Sequence, residues 1–364
     1  MKYIDEFRNK NLIKEVLDKI KEIAPKDKIN IMVVCGTHMQ SFCRFGLDKL
    51  LPSNLRLIAG PGCPVCVSSQ GYIDSAIKLA GHKGVIILTF GDMLRIPGSF
   101  STLEKERAVH GNVRVVYSAW DSLKIARLNP DKKVVFLAVG FETTAPTIAL
   151  SIISAKKENL RNLFFFPALK LIPPAMDYLA KDKRLNLSGF LCPGHVSAII
   201  GTRPYEFIPK RYAMPCCITG FEPLDILEGI YLIVRQMVNK KAVVANQYVR
   251  VVTRGGNLKA QKIIKRVFNT SDAYWRGLGR IPKSGLKINN EFSKFNVEKI
   301  FSITDKEPRV SDKQKKCRCA DILKGLISPL DCPLFLRVCS PDNPIGPCMV
   351  SMEGACNAYY KYHR

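Results

Sequence analysis

The chain has 364 residues, 47% of them hydrophobic, with 56 Lys and Arg against 31 Asp and Glu and a formal charge of +25. Its length exceeds one typical core and predicts two or three domains, and its apolar fraction is that of a globular chain able to bury sizeable cores. No apolar run approaches the roughly 18 residues of a membrane span. The start, Met1-Lys2-Tyr3-Ile4-Asp5-Glu6-Phe7, has early acids and no apolar leader, so the expected address is the cytoplasm, where thiols begin reduced. The charge allows nucleic acid, acidic lipid or an acidic partner. No long basic run and no basic stripe with interleaved aromatics stands out, so a Lys-rich solvated surface is the plainer reading. The 13 cysteines are many for a reducing compartment, and an odd number cannot all pair.

Residues 5–23 predict an amphipathic helix, with Phe7, Ile13, Val16, Leu17 and Ile20 at helical spacing. Strands are expected at Ile29–Val34, Leu55–Ala59, Val85–Phe90 and Val113–Tyr117, then in a second series at Val134–Val139, Leu163–Phe166 and Leu187–Leu191. These are continuous apolar runs, the mark of parallel strands covered on both faces. Helical stretches such as Ile73–Ala80 and Thr147–Ala155 lie between them, so the pattern predicts βαβ units in doubly wound sheets. The polar connection Arg127–Lys133 separates the two series. The expected organisation is a first α/β lobe over residues 1–126, a second over 127–250 and a cysteine-rich unit over 251–364. From about residue 250 the strand rhythm fades, and Lys283–Asp305 reads as linker or irregular surface.

In open α/β sheets ligands sit beyond the carboxyl ends of the strands. Five unusual peptides fall there: Cys35-Gly36-Thr37-His38, Gly60-Pro61-Gly62-Cys63-Pro64-Val65-Cys66, Gly91-Asp92, Gly140-Phe141-Glu142-Thr143-Thr144-Ala145-Pro146 and Cys192-Pro193-Gly194-His195-Val196-Ser197. One fold rule brings them to the rims of two lobes, facing a shared cleft. Cys63 and Cys66 form a CxxC inside a Pro/Gly turn, just before the capped helix start Ser68-Ser69-Gln70-Gly71, where a helix N-terminus favours thiolate. A redox pair, half a zinc site and plain packing are the alternatives. Cys35 with His38 suits iron, copper or zinc, or nucleophilic catalysis, against the common fate of a buried free cysteine. His195 is equally open between structural and functional roles. Thr143 or Thr144 is the expected N-cap of the helix that follows. Cys216 and Cys217 read as packing residues, and Tyr359-Tyr360-Lys361-Tyr362 as core or partner surface. Neither Arg254-Gly255-Gly256-Asn257 nor Arg276-Gly277-Leu278-Gly279-Arg280 is a nucleotide motif.

Near the C-terminus Cys317, Cys332, Cys339 and Cys356 are separated by fourteen, six and sixteen residues, with Cys319 and Cys348 in the same stretch. This spacing suits an iron–sulfur cluster or zinc, although the paired CxxC knuckles that zinc favours are missing. Lys315, Lys316, Arg318 and Arg337 would offset the charge of four thiolates around a cluster. The many prolines here (Pro329, Pro333, Pro341, Pro344, Pro347) leave little regular structure, so the loop calls for a staple.

Taken together, Cys35–His38, Gly60–Cys66, Gly140–Pro146, Pro193–Ser197, Tyr274-Trp275-Arg276-Gly277-Leu278-Gly279 and the stretch from Cys317 through Gly346–Ser351, Glu353-Gly354 and Cys356 resemble the HypD family of hydrogenase maturation factors over nearly the whole chain. One departure is that Met39-Gln40-Ser41-Phe42 stands where the family often has a further histidine. The resemblance implies a scaffold and redox protein for the iron centre of NiFe hydrogenases. It implies a HypC-type chaperone as partner, a HypE-type cyanide donor, and an indirect link to the hydrogenase large subunit. The pair with HypC would hold an iron carrying two cyanides and one carbon monoxide, the Fe(CN)2CO group. Cys35 would be an iron ligand, with His38 and His195 placed to hydrogen-bond ligands or move protons. Cys63 and Cys66 would pass electrons. Cys317, Cys332, Cys339 and Cys356 would hold a 4Fe-4S cluster, making the third unit an iron–sulfur domain with Cys319 and Cys348 outside the ligand set, and Glu353 would tune the cluster or move protons beside it. Two readings from other classes remain: a basic nucleic-acid-binding protein with a structural metal, and a self-contained thiol oxidoreductase.

Overall fold

The structure, a computed structural model, describes residues 4–301, 303 and 316–363. Lys315 and the linker positions Ser302, Thr304 and Asp305 lie outside the described residues. The N-terminal amphipathic segment forms the helix Lys10–Ile23, capped by the Asn9 side chain, which accepts from the amides of Asn11 and Leu12.

Eleven strands are described: β1 (Ile29–Val33), β2 (Leu55–Ala59), β3 (Val85–Thr89), β4 (Val113–Val115), β5 (Lys133–Gly140), β6 (Leu163–Lys170), β7 (Gly189–Pro193), β8 (Cys216–Thr219), β9 (Val244–Asn246), β10 (Phe268–Trp275) and β11 (Gly279–Ile288). One sheet has the order β2-β1-β7-β8-β9 and is parallel throughout. The other has the order β10-β11-β6-β5-β3-β4; β4, β3, β5 and β6 run parallel, and the hairpin β10–β11 adds an antiparallel edge. The apolar runs are buried as expected: every residue of β1, β3 and β7 is buried, and so is every residue of β5 after Lys133.

The strands are not sorted by a boundary at residue 127. β3 and β4 belong with β5 and β6, whereas β7, β8 and β9 return to pair beside β1. The chain therefore crosses between sheets three times, at the Gly60–Cys66 turn with helix Gln70–Ala80, around helix Ile172–Ala180, and before helix Leu258–Val267. Buried parallel strands look alike in sequence, so their periodicity states that each lies inside a sheet but not which sheet. Residue 283, expected in a linker, lies within β11, and Asn290–Phe295 and Val297–Phe301 are helical.

Sheet and cysteine-rich segment share a core. Cys319, Ile322, Leu323, Phe335, Cys339, Cys348 and Met349 pack in the same hydrophobic cluster as Ile31, Val33, Leu57 and Leu191, and helix Ala355–Tyr362 lies against helix Gly36–Arg44. A second cluster, built on Phe136, Ile148, Phe165, Phe292 and Phe295, covers the other face of the β3–β6 sheet. Among the described residues no helix is long and apolar enough to cross a membrane.

Candidate functional site

Helix Gly36–Arg44 starts just past the carboxyl end of β1, with Cys35 as its extended N-cap residue, only 7% exposed. The Gly60–Cys66 turn, at the end of β2, lies directly on it. A Cβ on Gly62 would stand 2.3 Å from the Cys35 backbone nitrogen, and the Gly36 amide donates to the Gly62 carbonyl at 3.0 Å. Glycine is required there because two backbones meet. Gly36 makes a second such approach: its Cβ would lie 2.4 Å from the Cβ of Glu353. Glu353 comes from the far end of the chain and accepts the Thr37 hydroxyl at 3.1 Å. Its own amide donates to Ser351 Oγ at 3.2 Å, and the Ser351 hydroxyl donates to Asp92 Oδ2 at 2.7 Å. Three strand-end or terminal segments, carrying Thr37, Asp92 and Glu353, are thus tied at one point. Burial pushes the Cys35 thiol up to about 12, against the opposing amides of His38 and Thr37. Burial also raises the Glu353 carboxyl, opposed by the Thr37 hydrogen bond and reinforced by Asp92.

His38 is fully buried. Its Nε2 lies 2.8 Å from the Gly220 carbonyl oxygen and 3.3 Å from that of Thr219. Two acceptors fix the proton on Nε2, leaving Nδ1 as a bare lone pair without a partner among the described residues. Burial lowers its pKa to about 4, so the ring is neutral across the ordinary range. Phe221, at the end of β8, carries both histidines on its ring: His38 stacks with centroids 4.6 Å apart and His195 at 4.0 Å. His195 is solvent-facing, and partial burial lowers its pKa. Beside it a cavity of about 400 Å³ is lined by Phe221, Asp225, Tyr248 and Arg250.

Cys63 and Cys66 are joined as a disulfide with Cα atoms 5.2 Å apart. The expected helix start follows: Ser69 caps Gln70–Ala80 by accepting from the Tyr72 amide at 3.1 Å. Thr144 takes the N-cap position of helix Ala145–Lys157, but its side chain makes no capping bond. Cys66 Sγ lies 3.8 Å from the carbonyl oxygen of Pro347, so the disulfide abuts the residue before Cys348.

That contact leads into a group of sulfurs. Cys317 and Cys319 are 3.2 Å apart, and Cys348 shares hydrogen bonds with Cys319 and Cys356. The two donors push the buried Cys348 thiol down to about 5, while the same sharing holds Cys356 well up. Cys339 feels the charges of Cys317 and Cys319, and its sulfur accepts from the Ile345 amide at 3.4 Å. Gly346 leaves room for the group: its Cβ would sit 2.5 Å from Cys317 Sγ and 2.7 Å from Cys319 Sγ. Cys319 and Cys348, left aside by the fourteen–six–sixteen spacing, stand inside this group, whereas Cys332 is half-buried and faces Arg318. Among the described residues no three His, Cys, Asp or Glu side chains are arranged around a single metal ion. The donor chemistry fits a thiolate-ligated cluster, since soft thiolates dominate the pocket and glycine keeps it open.

The structure brings together Cys35, His38, the Cys63–Cys66 disulfide, Glu353 and five of the six C-terminal cysteines. Phe221, Ser351 and the Asp92 carboxylate complete the arrangement. Nothing local marks Phe221 as a partner of His38 or Ser351 as a partner of Asp92, because each of these contacts spans more than 150 residues of sequence.

The HypD family model, described as "Hydrogenase formation hypA family", matches residues 11–363. Over its whole length the chain is 46% identical to the hydrogenase maturation factor HypD of Azotobacter vinelandii, covering 97% of that protein. It is 43% identical to the HypD of Cupriavidus necator, with 98% of that protein covered, and 40% identical to the HypD of Escherichia coli, with 99% covered.

Proposed function

The chain belongs to the HypD family and serves hydrogenase maturation, and from that premise we propose that it is the scaffold and redox protein on which the Fe(CN)2CO group is assembled, together with a HypC-type chaperone and a HypE-type cyanide donor. The observation that supports this most directly is the stacking of the disulfide turn on Cys35: Gly62 touches the Cys35 backbone, and Cys63 follows it immediately. An iron-binding thiol and an electron carrier are therefore backbone neighbours.

Iron is the cargo. A thiol held near pKa 12 keeps its proton until a cation displaces it, so iron binding at Cys35 releases one proton. Neutral His38 offers Nδ1 as an acceptor, and His195 lies at the solvent side of the Phe221 ring, where it can exchange protons with water. Opening the Cys63–Cys66 bond takes up two electrons and two protons and leaves two thiols. Cys317, Cys332, Cys339 and Cys356 hold the cluster in this reading, with Cys319 and Cys348 close enough to substitute for one of them. A 4Fe-4S cluster there would supply electrons one at a time. Glu353, whose carboxylate accepts from Thr37 next to Cys35, has its pKa raised by burial, which favours proton uptake there.

Infrared spectra of the chain purified anaerobically with its partners should show cyanide and carbonyl stretches. Colourless protein with stoichiometric zinc would sink the reading. Cys35→Ala should keep its cluster iron, four per chain as implied by 4Fe-4S, yet lose the cyanide and carbonyl bands; wild-type bands in that variant would remove Cys35 from the iron site.

A further inference from the structure

The Tyr274–Gly279 turn between β10 and β11 has no role in the site described so far, yet it places a buried cation against the sulfur chemistry. The Arg276 amide donates to the Val67 carbonyl at 2.9 Å, and its Nε donates to the Ser68 carbonyl at 2.9 Å. Those are the two carbonyls that directly follow Cys66. Gly277, with φ +80°, sits so close to Ala320 that a Cβ would stand 2.7 Å from the Ala320 Cα. The turn is therefore wedged between the disulfide loop and the Cys317–Cys319 strap. Nη2 is buried with no partner among the described residues.

Among the charges acting on this guanidinium, the thiols of Cys319, Cys348 and Cys317 outrank the Asp74 carboxylate. That carboxylate is already engaged by the Ser99 amide at 2.6 Å, the Ser99 hydroxyl at 2.7 Å and Gln70 Nε2 at 3.2 Å. A buried guanidinium needs compensating negative charge, and here the sulfurs are its natural source.

We propose that Arg276 is a positioning and potential-setting residue of the redox relay, clamping the Cys63–Cys66 loop through Val67 and Ser68 while its buried guanidinium, with Nη2 left unpaired, sets a positive charge beside the C-terminal sulfur group. This rests on the reading of that group as a cluster site. Arg276 itself takes up no electron and no proton. Its fixed positive charge stabilises whichever state of its neighbours is more negative, namely the one-electron-reduced cluster and the opened pair that has taken up two electrons and only the first of its two protons, and so carries one thiolate. Guanidinium suits both tasks, because its planar fork can serve a carbonyl and a sulfur at once, whereas a lysine offers the charge without the fork.

The test compares Arg276→Gln and Arg276→Lys in the full chain. In anaerobic potentiometric titration of the cluster, Arg276→Gln should shift the one-electron equilibrium toward the oxidised state at least tenfold, about 59 mV, and Arg276→Lys by less than half of that. An unchanged potential in Arg276→Gln at wild-type iron content overturns the proposal. Equal shifts in both variants overturn the role of charge. If Arg276→Gln retains no iron, thiol trapping in a glutathione buffer decides, since it works with or without cluster. The Cys63–Cys66 equilibrium should move about tenfold toward disulfide in Gln and stay near wild type in Lys, and no movement overturns the proposal. A loss of melting temperature alone, with both redox equilibria unmoved, would leave Arg276 a purely structural clamp. A wild-type chain that binds no iron would overturn the cluster reading instead, while the thiol equilibrium would still decide the role of Arg276.

Discussion

Two buried titratable residues pull the pH dependence of this molecule in opposite directions. His38 has its pKa lowered from 6.5 to about 4, mainly by burial, so its contribution to stability is complete above pH 6.5 and is lost as pH falls toward 4. Glu142, at the end of β5, has its carboxyl raised from 4.5 to about 7 by burial. Its Oε1 accepts from the Ile172 amide at 3.0 Å, and Oε2 is buried without a partner among the described residues. For an acid raised in the folded state the sign reverses: stability is complete below pH 4.5 and is lost as pH rises through 7. Glu142→Gln keeps the acceptor for Ile172 and removes the charge. Relative to wild type it should gain stability between pH 4.5 and pH 8, by up to about 3 kcal/mol at 1.36 kcal/mol per pKa unit. Denaturant midpoints at the two pH values measure it, and parallel curves for the two proteins would refute a strained buried acid.

At the scale of elements, the hairpin β10–β11 organises more than its edge position suggests. Trp275 is buried to 1% exposure, donates from Nε1 to Ser284 Oγ at 2.8 Å and stacks 6.1 Å from Phe141. Trp275→Ala should cost about 3–5 kcal/mol through the cavity it leaves. Trp275→Phe, which loses one buried hydrogen bond, should cost nearer 1 kcal/mol beyond its smaller area. Thermal melts of the two variants give the comparison, and equal costs would mean that the phenyl ring kept by Trp275→Phe recovers none of the packing, so that the cavity does not account for the loss. This hairpin is also what a reading of apolar runs misses. β1, β3 and β5 are covered on both faces and announce themselves, whereas β10 has Asn269, Thr270 and Asp272 facing water and looks like loop. β8 was hidden for another reason, since Cys216 and Cys217 suggest packing without suggesting a strand. The helix cap at Ser69, by contrast, was legible because a cap is a local bond to an amide three residues on.

For the molecule as a whole, the strand-end rule located Cys35, the disulfide turn, Asp92 and His195 because it depends only on strand direction. Which sheet each strand joins, and therefore that Thr37 and Asp92 meet through Ser351 and Glu353, is a non-local fact that no local pattern encodes. The same non-locality gives the fold a division of labour. The β3–β6 sheet has a second apolar cluster on the face away from the cysteines, with Phe136, Ile148 and Phe165 fully buried. Among the described residues the C-terminal segment has no separate cluster, and it packs through contacts with helix Gly36–Arg44, the Thr37–Glu353 bond and its own sulfurs. A metal that gathers those sulfurs supplies cross-links that short irregular segments otherwise lack. If such a metal is bound, removing it with a chelator under reducing conditions should loosen the molecule unevenly. Amides in helices Gly36–Arg44 and Ala355–Tyr362 should exchange at least tenfold faster, while those in β5 and β6 keep their protection. Hydrogen exchange before and after chelation measures both at once. Uniform acceleration across β5, β6 and the two helices would mean that the metal holds the entire fold together. No change anywhere would mean that the sulfur group packs as well empty as filled.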